Sequence, residues 1–329
     1  MRKLNIGLIG AGGIGRIHFY NALKLKKARL VAIADSSKKS QSFARAHNIP
    51  KIYSDFEKLL ADPSVDCVVI SLPTFLHSKC ALLAAEQGKH FFIEKPLARN
   101  PKEGKTIVSK AQKAGVKTMI GYPLRFSDFA TIKKDIISGS LGDIVTANAI
   151  NVGKGPFFAR VSAGSIPSPV PSWWFKPELV GGGVLLDLGS HMINLLLWFF
   201  GNEIISVRSV LGHRFNMRYE DYALCFIKFR RGTLATVNVG WFSMQQTVKV
   251  ELFGTVRLSF LKERSEKIPF KLLRLLGITP MTHTSAFFNE LNYFVECILS
   301  DCDPSPSLTE GLKDLEVIAS AYQNELECP

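Results

Sequence analysis

The chain has 329 residues, 41 of them Lys or Arg and 28 of them Asp or Glu, so its formal net charge is +13 at pH 7. Hydrophobic residues make up 47% of the chain and charged residues 21%, a balance that excludes an intrinsically disordered protein and is sufficient for two domains. The positive charge either attracts anions such as phosphates or carboxylates, or belongs to a solvated basic surface. The sequence has no zinc-finger spacing, arginine-rich arm or aromatic RNA-binding motif, so nucleic acid is not an expected partner.

Residues 1–121 alternate between short apolar runs and helix-like stretches. The apolar runs, predicted to be parallel strands covered on both faces, are LNIGLIG, RLVAIA, DCVVIS, HFFIE and VKTMIG. Helices are predicted at residues 14–25, 38–47, 76–87 and 101–114, where Pro101 is a favourable first helical residue. Such alternation predicts a doubly wound α/β domain of the Rossmann type over residues 1–121.

A different pattern begins at residue 122 and predicts a second domain, α+β, over residues 122–329. Its alternating strands indicate a mainly antiparallel sheet with one open face. The predicted strands are residues 144–152, 222–229, 233–242 and 247–253, and the predicted helices are residues 129–138, 187–200, 287–299 and 308–326. A Pro-, Gly- and Ser-rich segment at residues 153–171 is expected to be a functional loop.

The segment from Arg257 to Arg274 is the densest basic cluster. Leu and Phe alternate with its Lys and Arg residues, which fits a surface helix, with an interfacial membrane helix as the less favoured alternative. The apolar run Met192–Gly201 is too short to cross a bilayer, so we expect a buried helix there and no membrane partner.

The six cysteines form no C-x-x-C pair, and nothing N-terminal resembles a signal peptide. A disulfide framework is not expected, and the pattern favours a reducing cytoplasm.

A glycine triplet, Gly10-x-Gly12-x-x-Gly15, follows the first strand and opens a helix. In this context glycines allow a tight turn and bring the backbone close to a pyrophosphate, so the turn Gly10, Gly12, Gly13, Ile14 and Gly15 is a candidate dinucleotide site. Asp35 ends the second strand and can accept the ribose hydroxyls of NAD, although it can also simply cap a helix. Ser36 and Lys38 follow at once and could accommodate the phosphate of NADP.

The stretch Glu94-Lys95-Pro96 ends an apolar strand. Ligands bind outside the carboxyl ends of parallel strands, so Lys95 is predicted to point at the cofactor cleft. Asp187 and His191 lie four residues apart on a predicted helix and therefore on one face. From spacing alone this pair is a structural cap with a core histidine, half of a metal site, or an acid–base pair; no metal site is predicted, because a second ligand pair is missing nearby.

Five motifs together carry a resemblance that covers nearly the whole chain: GAGGIGRIH, SLPTFLH, IEKPLA, YPLRF and GGGVLLDLGSH. In their order and spacing they resemble the glucose–fructose oxidoreductase / inositol dehydrogenase / rhizopine catabolism (Gfo/Idh/MocA) family of NAD(P)-dependent oxidoreductases.

The resemblance implies catalytic roles for Lys95, Asp187 and His191. It implies that the cofactor also contacts Ser71, Pro73, Thr74, His77, Glu94, Lys95, Pro96 and Arg125. One position departs from the family pattern, in which an acidic residue often follows the histidine as HxxD; here Asn194 stands in its place.

The function expected from the resemblance is hydride transfer between NAD, with NADP as the alternative, and a hydroxyl or carbonyl carbon of a sugar or polyol. The substrate could be phosphorylated or nucleotide-linked. Candidate substrate residues are Tyr122, Arg160, Trp173, Trp174 and Lys176. The rival functions are an NAD-using glycosidase of the same fold and a non-catalytic nucleotide sensor. A homodimer or homotetramer is expected, formed through the open sheet face.

Overall fold

Two six-stranded sheets organise the chain in the computed structural model, which describes residues 3–157, 171–215, 217–262 and 284–326. The first sheet is parallel and flanked by helices, and the second is mainly antiparallel. The predicted fold class, a Rossmann part followed by an α+β part, is therefore confirmed.

The first sheet has the strand order β3-β2-β1-β4-β5-β6. Its strands are β1 Leu4–Ile9, β2 Ala28–Ala34, β3 Lys51–Tyr53, β4 Cys67–Ile70, β5 His90–Glu94 and β6 Thr118–Gly121. The helices between them are α1 Gly13–Ala22, α2 Lys38–Ala46, α3 Phe56–Leu60, α4 Thr74–Glu86 and α5 Pro101–Ala114. The order reverses between β1 and β4, which leaves a crevice at their carboxyl ends where dinucleotides bind in such folds.

The edge strand β3 was not among the predicted strands, because it is only three residues long and partly exposed. Its polar side chains are held by one carboxylate, Asp62. Lys51 Nζ lies 2.8 Å from Asp62 Oδ2, and the Tyr53 hydroxyl donates to the same oxygen at 2.9 Å. Hydrogen bonds rather than an apolar run therefore fix this edge.

The second sheet has the order β12-β11-β7-β10-β9-β8. Its strands are β7 Ile144–Val152, β8 Ile204–Gly212, β9 Tyr222–Phe229, β10 Leu234–Gly240, β11 Thr247–Gly254 and β12 Leu258–Lys262. Among the described strand pairs of this second sheet, only β7 and β10 run parallel. Buried and exposed residues alternate along β9 and β10, so one face of the sheet packs on the core and the other stays open.

The expectation of a surface helix over residues 257–274 is wrong at its start. Residues 258–262 form β12, which pairs antiparallel with β11, Phe253 opposite Leu258. Leu258 and Phe260 project to the open face with Ser259 and Leu261 between them, and this period of two matches a strand. The remainder of the segment lies outside the described residues, as does most of the predicted loop at residues 153–171.

The helices that follow residue 121 are α6 Phe129–Ile137, α7 Pro177–Val180, α8 Ser190–Phe200, α9 Thr284–Ser300 and α10 Leu308–Gln323. Helix α9 packs on α1, and Leu291, Phe294 and Val295 share one apolar core with Phe19 and Phe92 of the first sheet's layer. The stretch Pro177–Phe200, which contains α7 and α8, is long and apolar enough to cross a membrane by length and composition alone, but 72% of its most apolar part is buried inside the protein, as in a core helix.

Candidate active site

The glycine turn leads from β1 into α1 at the crevice. Gly10 has φ +86°, a left-handed conformation that favours glycine. A Cβ on Gly15 would lie 2.0 Å from the Gly10 carbonyl oxygen, so this close packing of helix and strand admits only glycine. A Cβ on Gly12 would have no described atom within 4 Å, and Gly12 and Gly13 are exposed. The first turn of α1 therefore offers free backbone N–H groups to an anion.

Asp35 closes the side of this turn. Its Oδ2 accepts the Ala11 N–H at 2.8 Å and its Oδ1 accepts the Ser37 N–H at 2.8 Å. These bonds fix the carboxylate at the end of β2, half-buried, with Ser36 and Lys38 exposed beside it. An open glycine cradle next to a fixed carboxylate fits the pyrophosphate and ribose of NAD.

The segment after β4 includes one residue that braces the turn and one that braces a neighbouring loop. The Ser71 hydroxyl donates to the Gly10 carbonyl at 2.7 Å. The ring nitrogens of His77 lie 2.9 Å from the carbonyl oxygens of Leu72 and Pro96, and burial lowers the pKa of His77. His77 therefore joins two loops from the interior rather than lining the cleft, while Pro73 and Thr74 are partly exposed at the start of α4.

Lys95 lies just beyond β5 and meets Asp187 across the cleft. Lys95 Nζ is 2.7 Å from Asp187 Oδ1 and 2.9 Å from the Asp187 carbonyl oxygen. The two side chains are 15% and 17% exposed, so the ion pair is largely enclosed yet reachable. The next residue, Pro96, is buried and follows a cis peptide bond.

His191 faces the same cleft. Its ring is partly exposed, whereas Nδ1 is enclosed and has no hydrogen-bond partner among the described residues. Burial, together with the positive charge of Lys95, lowers the pKa of His191 to about 3, although the Asp187 carboxylate opposes the shift. The imidazole is therefore neutral at working pH, which is the form in which a histidine acts as a general base.

The helix that carries Asp187 and His191 is not regular. A π-helical turn covers Leu185–Gly189, and α8 begins at Ser190. The prediction of a single helix over residues 187–200 is thus corrected to a π turn followed by an α-helix. Such π turns are frequent at functional sites.

Behind Lys95, Glu94 belongs to a buried cluster with His18 of α1 and Glu290 of α9. His18 Nε2 lies 2.6 Å from Glu94 Oε1, and Glu94 Oε2 accepts the Lys95 N–H at 3.2 Å. Glu290 is 0% exposed, and neither carboxyl oxygen has a hydrogen-bond partner in the described part of the chain. Burial, reinforced by Glu94, raises the pKa of Glu290 well above its usual value, so this carboxyl is neutral.

One ligand atom from each of these three residues lies within 4.8 Å of the others, a spacing that a metal ion could also occupy. A neutral Glu290 accounts for this spacing without an ion, since a protonated carboxyl carries no charge that would repel Glu94.

Tyr122, Arg125 and Asn194 meet in a second buried network. Arg125 donates from Nε to Asn194 Oδ1 and from Nη1 to Glu310 Oε1, both at 2.6 Å, and Asn194 Nδ2 donates to Asp314 Oδ2 at 2.8 Å. Burial raises the pKa of Asp314 to about 7, against the hydrogen bonds from Asn194 and Tyr122.

This network changes the interpretation of two predicted contacts. Tyr122 is only 2% exposed and touches His191 edge-to-face, with ring centroids 5.8 Å apart. Arg125 is buried as well, with its guanidinium over Trp198. The structure therefore places Tyr122 and Arg125 behind the site, where they support His191 and α8, and not on its surface.

The predicted substrate residues Trp173 and Trp174 stack on each other, with centroids 5.5 Å apart and planes inclined by 29°. Trp173 also meets Phe75 at the start of α4, and Trp174 meets Trp241. Both rings are partly exposed, so they line a surface and pack on the core at once. Lys176 is exposed, and Arg160 lies outside the described residues.

Sequence reasoning missed Glu290, Asp314 and Tyr219. The Tyr219 hydroxyl bonds to the Trp174 carbonyl, and burial raises the pKa of Tyr219 to about 12. These residues meet the site only through tertiary folding, so no local motif marks them. His18 stands inside the GRIH motif, and its position three residues after Gly15 was the one available signal.

Comparison with known proteins identifies the class of protein to which the chain belongs. Residues 4–122 match an oxidoreductase family model with an NAD-binding Rossmann fold, and residues 129–256 match a GFO/IDH/MocA C-terminal domain. An NAD-binding oxidoreductase is the class that this fold and the matched regions define. The chain belongs to the GFO/IDH/MocA family.

Several relatives have named activities. The chain is 28% identical over 323 residues to scyllo-inositol 2-dehydrogenase (NAD(+)) of Bacillus subtilis (strain 168), covering 93% of this chain and 90% of that protein. It is 27% identical over 245 residues to myo-inositol 2-dehydrogenase of Thermotoga maritima, covering 71% of this chain and 68% of that protein. A structure of levoglucosan dehydrogenase in complex with NADH and levoglucosan shares the fold, with TM-score 0.82, 21% identity and coverage of 98% and 97%.

Proposed function

We propose that this protein is a dehydrogenase that transfers a hydride between NAD and a hydroxyl-bearing carbon of a cyclic sugar or polyol. The observation that carries the proposal is the cluster of Lys95, Asp187 and His191 at the crevice where the glycine turn opens. The named inositol dehydrogenases among the relatives favour a ring with several hydroxyl groups as substrate.

Each member of the cluster has a chemical role in the proposal. NAD, when bound, supplies the hydride acceptor. His191, neutral at working pH, takes the hydroxyl proton, which is typically worth 10² to 10⁴ in rate. Lys95 donates a hydrogen bond to the substrate oxygen and stabilises its developing negative charge. Asp187 holds the ammonium of Lys95 in place through the 2.7 Å contact.

The aromatic surface of Trp173 and Trp174 is the proposed support for the sugar ring. It adjoins α4, whose first residues Thr74 and Phe75 border the cleft. An aromatic face covers the apolar C–H face of a sugar while leaving its hydroxyl groups free for hydrogen bonds. Lys176 and Arg160 remain candidates for binding an anionic substituent.

Asp35 supports NAD over NADP in this proposal. Its carboxylate is fixed by the Ala11 and Ser37 N–H groups and would repel a 2′-phosphate. Ser36 and Lys38, both exposed, are the groups that could accept NADP as the alternative cofactor.

Assembly and location belong to the same proposal. The open face of the second sheet exposes apolar side chains, among them Leu234, Phe253, Leu258 and Phe260, so we infer that copies associate through this face as a homodimer or homotetramer. The division into a dinucleotide-binding domain, residues 1–121, and a substrate-binding domain, residues 122–329, is part of the proposal. A cytoplasmic location agrees with the free cysteines of the described chain.

The test is a paired fluorescence titration with NADH and NADPH, followed by a screen of inositols, anhydro sugars and glycosides at saturating cofactor. We expect tighter binding of NADH and accumulation of NADH with a polyol or sugar. Release of aglycone without NADH accumulation would instead identify a glycosidase. Binding of NADH without turnover of any compound, in a protein whose Lys95→Met variant behaves identically, would identify a sensor.

A further inference from the structure

The end of α9 brings two cysteines together. The helix ends at Ser300, Asp301 follows with φ +56°, and the Cys302 N–H donates to the Cys297 carbonyl at 3.0 Å. A left-handed residue after the helix, combined with a 6→1 hydrogen bond that reaches five residues back, is the pattern of a Schellman motif. In that motif the side chains at the two ends of the long hydrogen bond frequently contact each other. Here both are cysteines, and their thiols share a hydrogen bond.

The two thiols have different surroundings. Cys297 is 1% exposed, and burial raises the pKa of Cys297 to about 11. Cys302 is exposed, and its hydrogen bonds, first with Cys297 and then with Ser300, lower the pKa of Cys302. Ser300 Oγ lies 3.5 Å from Cys302 Sγ.

Lys117 is the nearby charge that favours a thiolate at Cys302. Lys117 Nζ reaches over the helix end to the Asp301 carbonyl at 3.1 Å and to Asp303 Oδ1 at 3.0 Å. Its positive charge also lowers the pKa of Cys302. Tyr293, one turn earlier on α9, shares a hydrogen bond with Cys297. The arrangement is one reactive, accessible sulfur beside one protected sulfur, which is the usual design of a peroxide-sensitive thiol pair.

We propose that Cys297 and Cys302 form a redox-active dithiol, a modification site that hydrogen peroxide converts to an intramolecular disulfide. The Cys302 thiolate attacks the peroxide, and an S–O bond forms as the O–O bond breaks. The departing hydroxide takes up the proton that the Cys302 thiol released and leaves as water. Cys297 then attacks the sulfenic sulfur, forming the S–S bond as the S–O bond breaks and a second water leaves. The two thiols lose two electrons and two protons, and hydrogen peroxide is reduced to two waters.

The site is independent of the proposed dehydrogenase reaction, because neither cysteine belongs to the cluster of Lys95, Asp187 and His191. The other described cysteines are internal controls. Cys67, Cys80 and Cys225 are buried, and burial raises the pKa of each.

The experiment uses the full chain carrying Cys328→Ser, since Cys328 lies outside the described residues. The protein is treated with hydrogen peroxide, blocked with a thiol reagent and analysed by mass spectrometry. We expect the loss of two hydrogen atoms, a disulfide-linked peptide containing both residues, and reversal by dithiothreitol. In the Cys297→Ser variant we expect a sulfenic acid at Cys302 that reacts with dimedone, and in the Cys302→Ser variant no oxidation of Cys297.

Two results would overturn the proposal: over-oxidation of Cys302 to sulfinic acid in the parent protein without a disulfide, or a disulfide to a different cysteine. Should the Cys297→Ser variant fail to fold, the peptide map of the parent protein decides alone.

Discussion

Replacing Lys95 with methionine tests the ion pair on which the proposed chemistry depends. At 2.7 Å and an effective dielectric constant near 20, the Coulomb attraction between Lys95 and Asp187 amounts to about 6 kcal/mol before desolvation is subtracted. Removing one partner of a buried pair typically costs about 3 to 5 kcal/mol. Because both side chains keep some exposure, we expect Lys95→Met to lower the free energy of unfolding by about 3 kcal/mol, the lower end of that range.

The matched control is the double variant Lys95→Met/Asp187→Asn. It also removes the carboxylate that Lys95→Met leaves without its ion-pair partner. The free energy of unfolding of the double variant should therefore lie within about 1.5 kcal/mol of the parent, closer than that of Lys95→Met. Urea denaturation of the cofactor-free protein measures Lys95→Met, the double variant and the single variant Asp187→Asn. Turnover should fall by about 10² to 10³ in the two variants that lack Lys95, because the donor to the substrate oxygen is gone, while their NADH affinity stays within about threefold of the parent.

If the two single substitutions changed the free energy of unfolding by strictly additive amounts, this account of the pair would be refuted, since Lys95 and Asp187 would then not interact. Near-normal turnover of Lys95→Met on the physiological substrate would refute the role of Lys95 itself.

Three further predictions concern neighbouring groups. Since the pKa of His191 is about 3, protonation of His191 should not reduce kcat/KM between pH 5 and 8. His191→Asn should lower kcat by about 10² to 10⁴ and leave NADH affinity unchanged. A fall in kcat/KM with an apparent pKa near 6.5 that is absent from His191→Asn would contradict this. Asp35→Ala should weaken NADH binding by about 10- to 150-fold, the equivalent of one or two charge-assisted hydrogen bonds, and leave NADPH binding unchanged or tighter, as measured by fluorescence titration. Because the pKa of Glu290 is raised, its contribution to stability is full below the ordinary glutamate pKa and is lost as the pH rises. Glu290→Gln should fold and turn over normally, and its urea midpoint should not show this loss between pH 5 and 8. Glu290→Ala should be destabilised at every pH.

Much of the first sheet could be predicted because its strands are continuous apolar runs and its helices carry clear starts, such as Asn100 before Pro101. The apolar pattern predicts neither β3 nor β8, and it predicts a helix where the structure has β12. β3 and β12 are short edge strands of three and five residues, and each pairs with a neighbour on one side only. A run of so few residues carries too little periodicity to identify a strand without its partner.

The candidate site, like the fold, could be predicted from the sequence only in part. Lys95, Asp187 and His191 stand in motifs that the sequence displays, and the structure brings Lys95 and Asp187 into contact although they come from opposite halves of the chain. Tyr122 and Arg125 also stand in a motif, but their burial follows from packing against α8 and α10. A motif thus identified residues near the site, while only the fold separated those that face the cleft from those that support it.

Asn194, which stands where the HxxD pattern has an acidic residue, lies beside the carboxylate of Asp314 on another helix. Its amide does two things that a carboxylate cannot do together: it accepts from Arg125 and donates to Asp314. The acidic group absent from position 194 is present at position 314, on a different helix. The two positions therefore form a coupled pair, because two ionised carboxylates there would leave one without a hydrogen-bond donor and place like charges side by side. We expect Asn194→Asp to destabilise the protein and Asp314→Asn in the same chain to offset the loss.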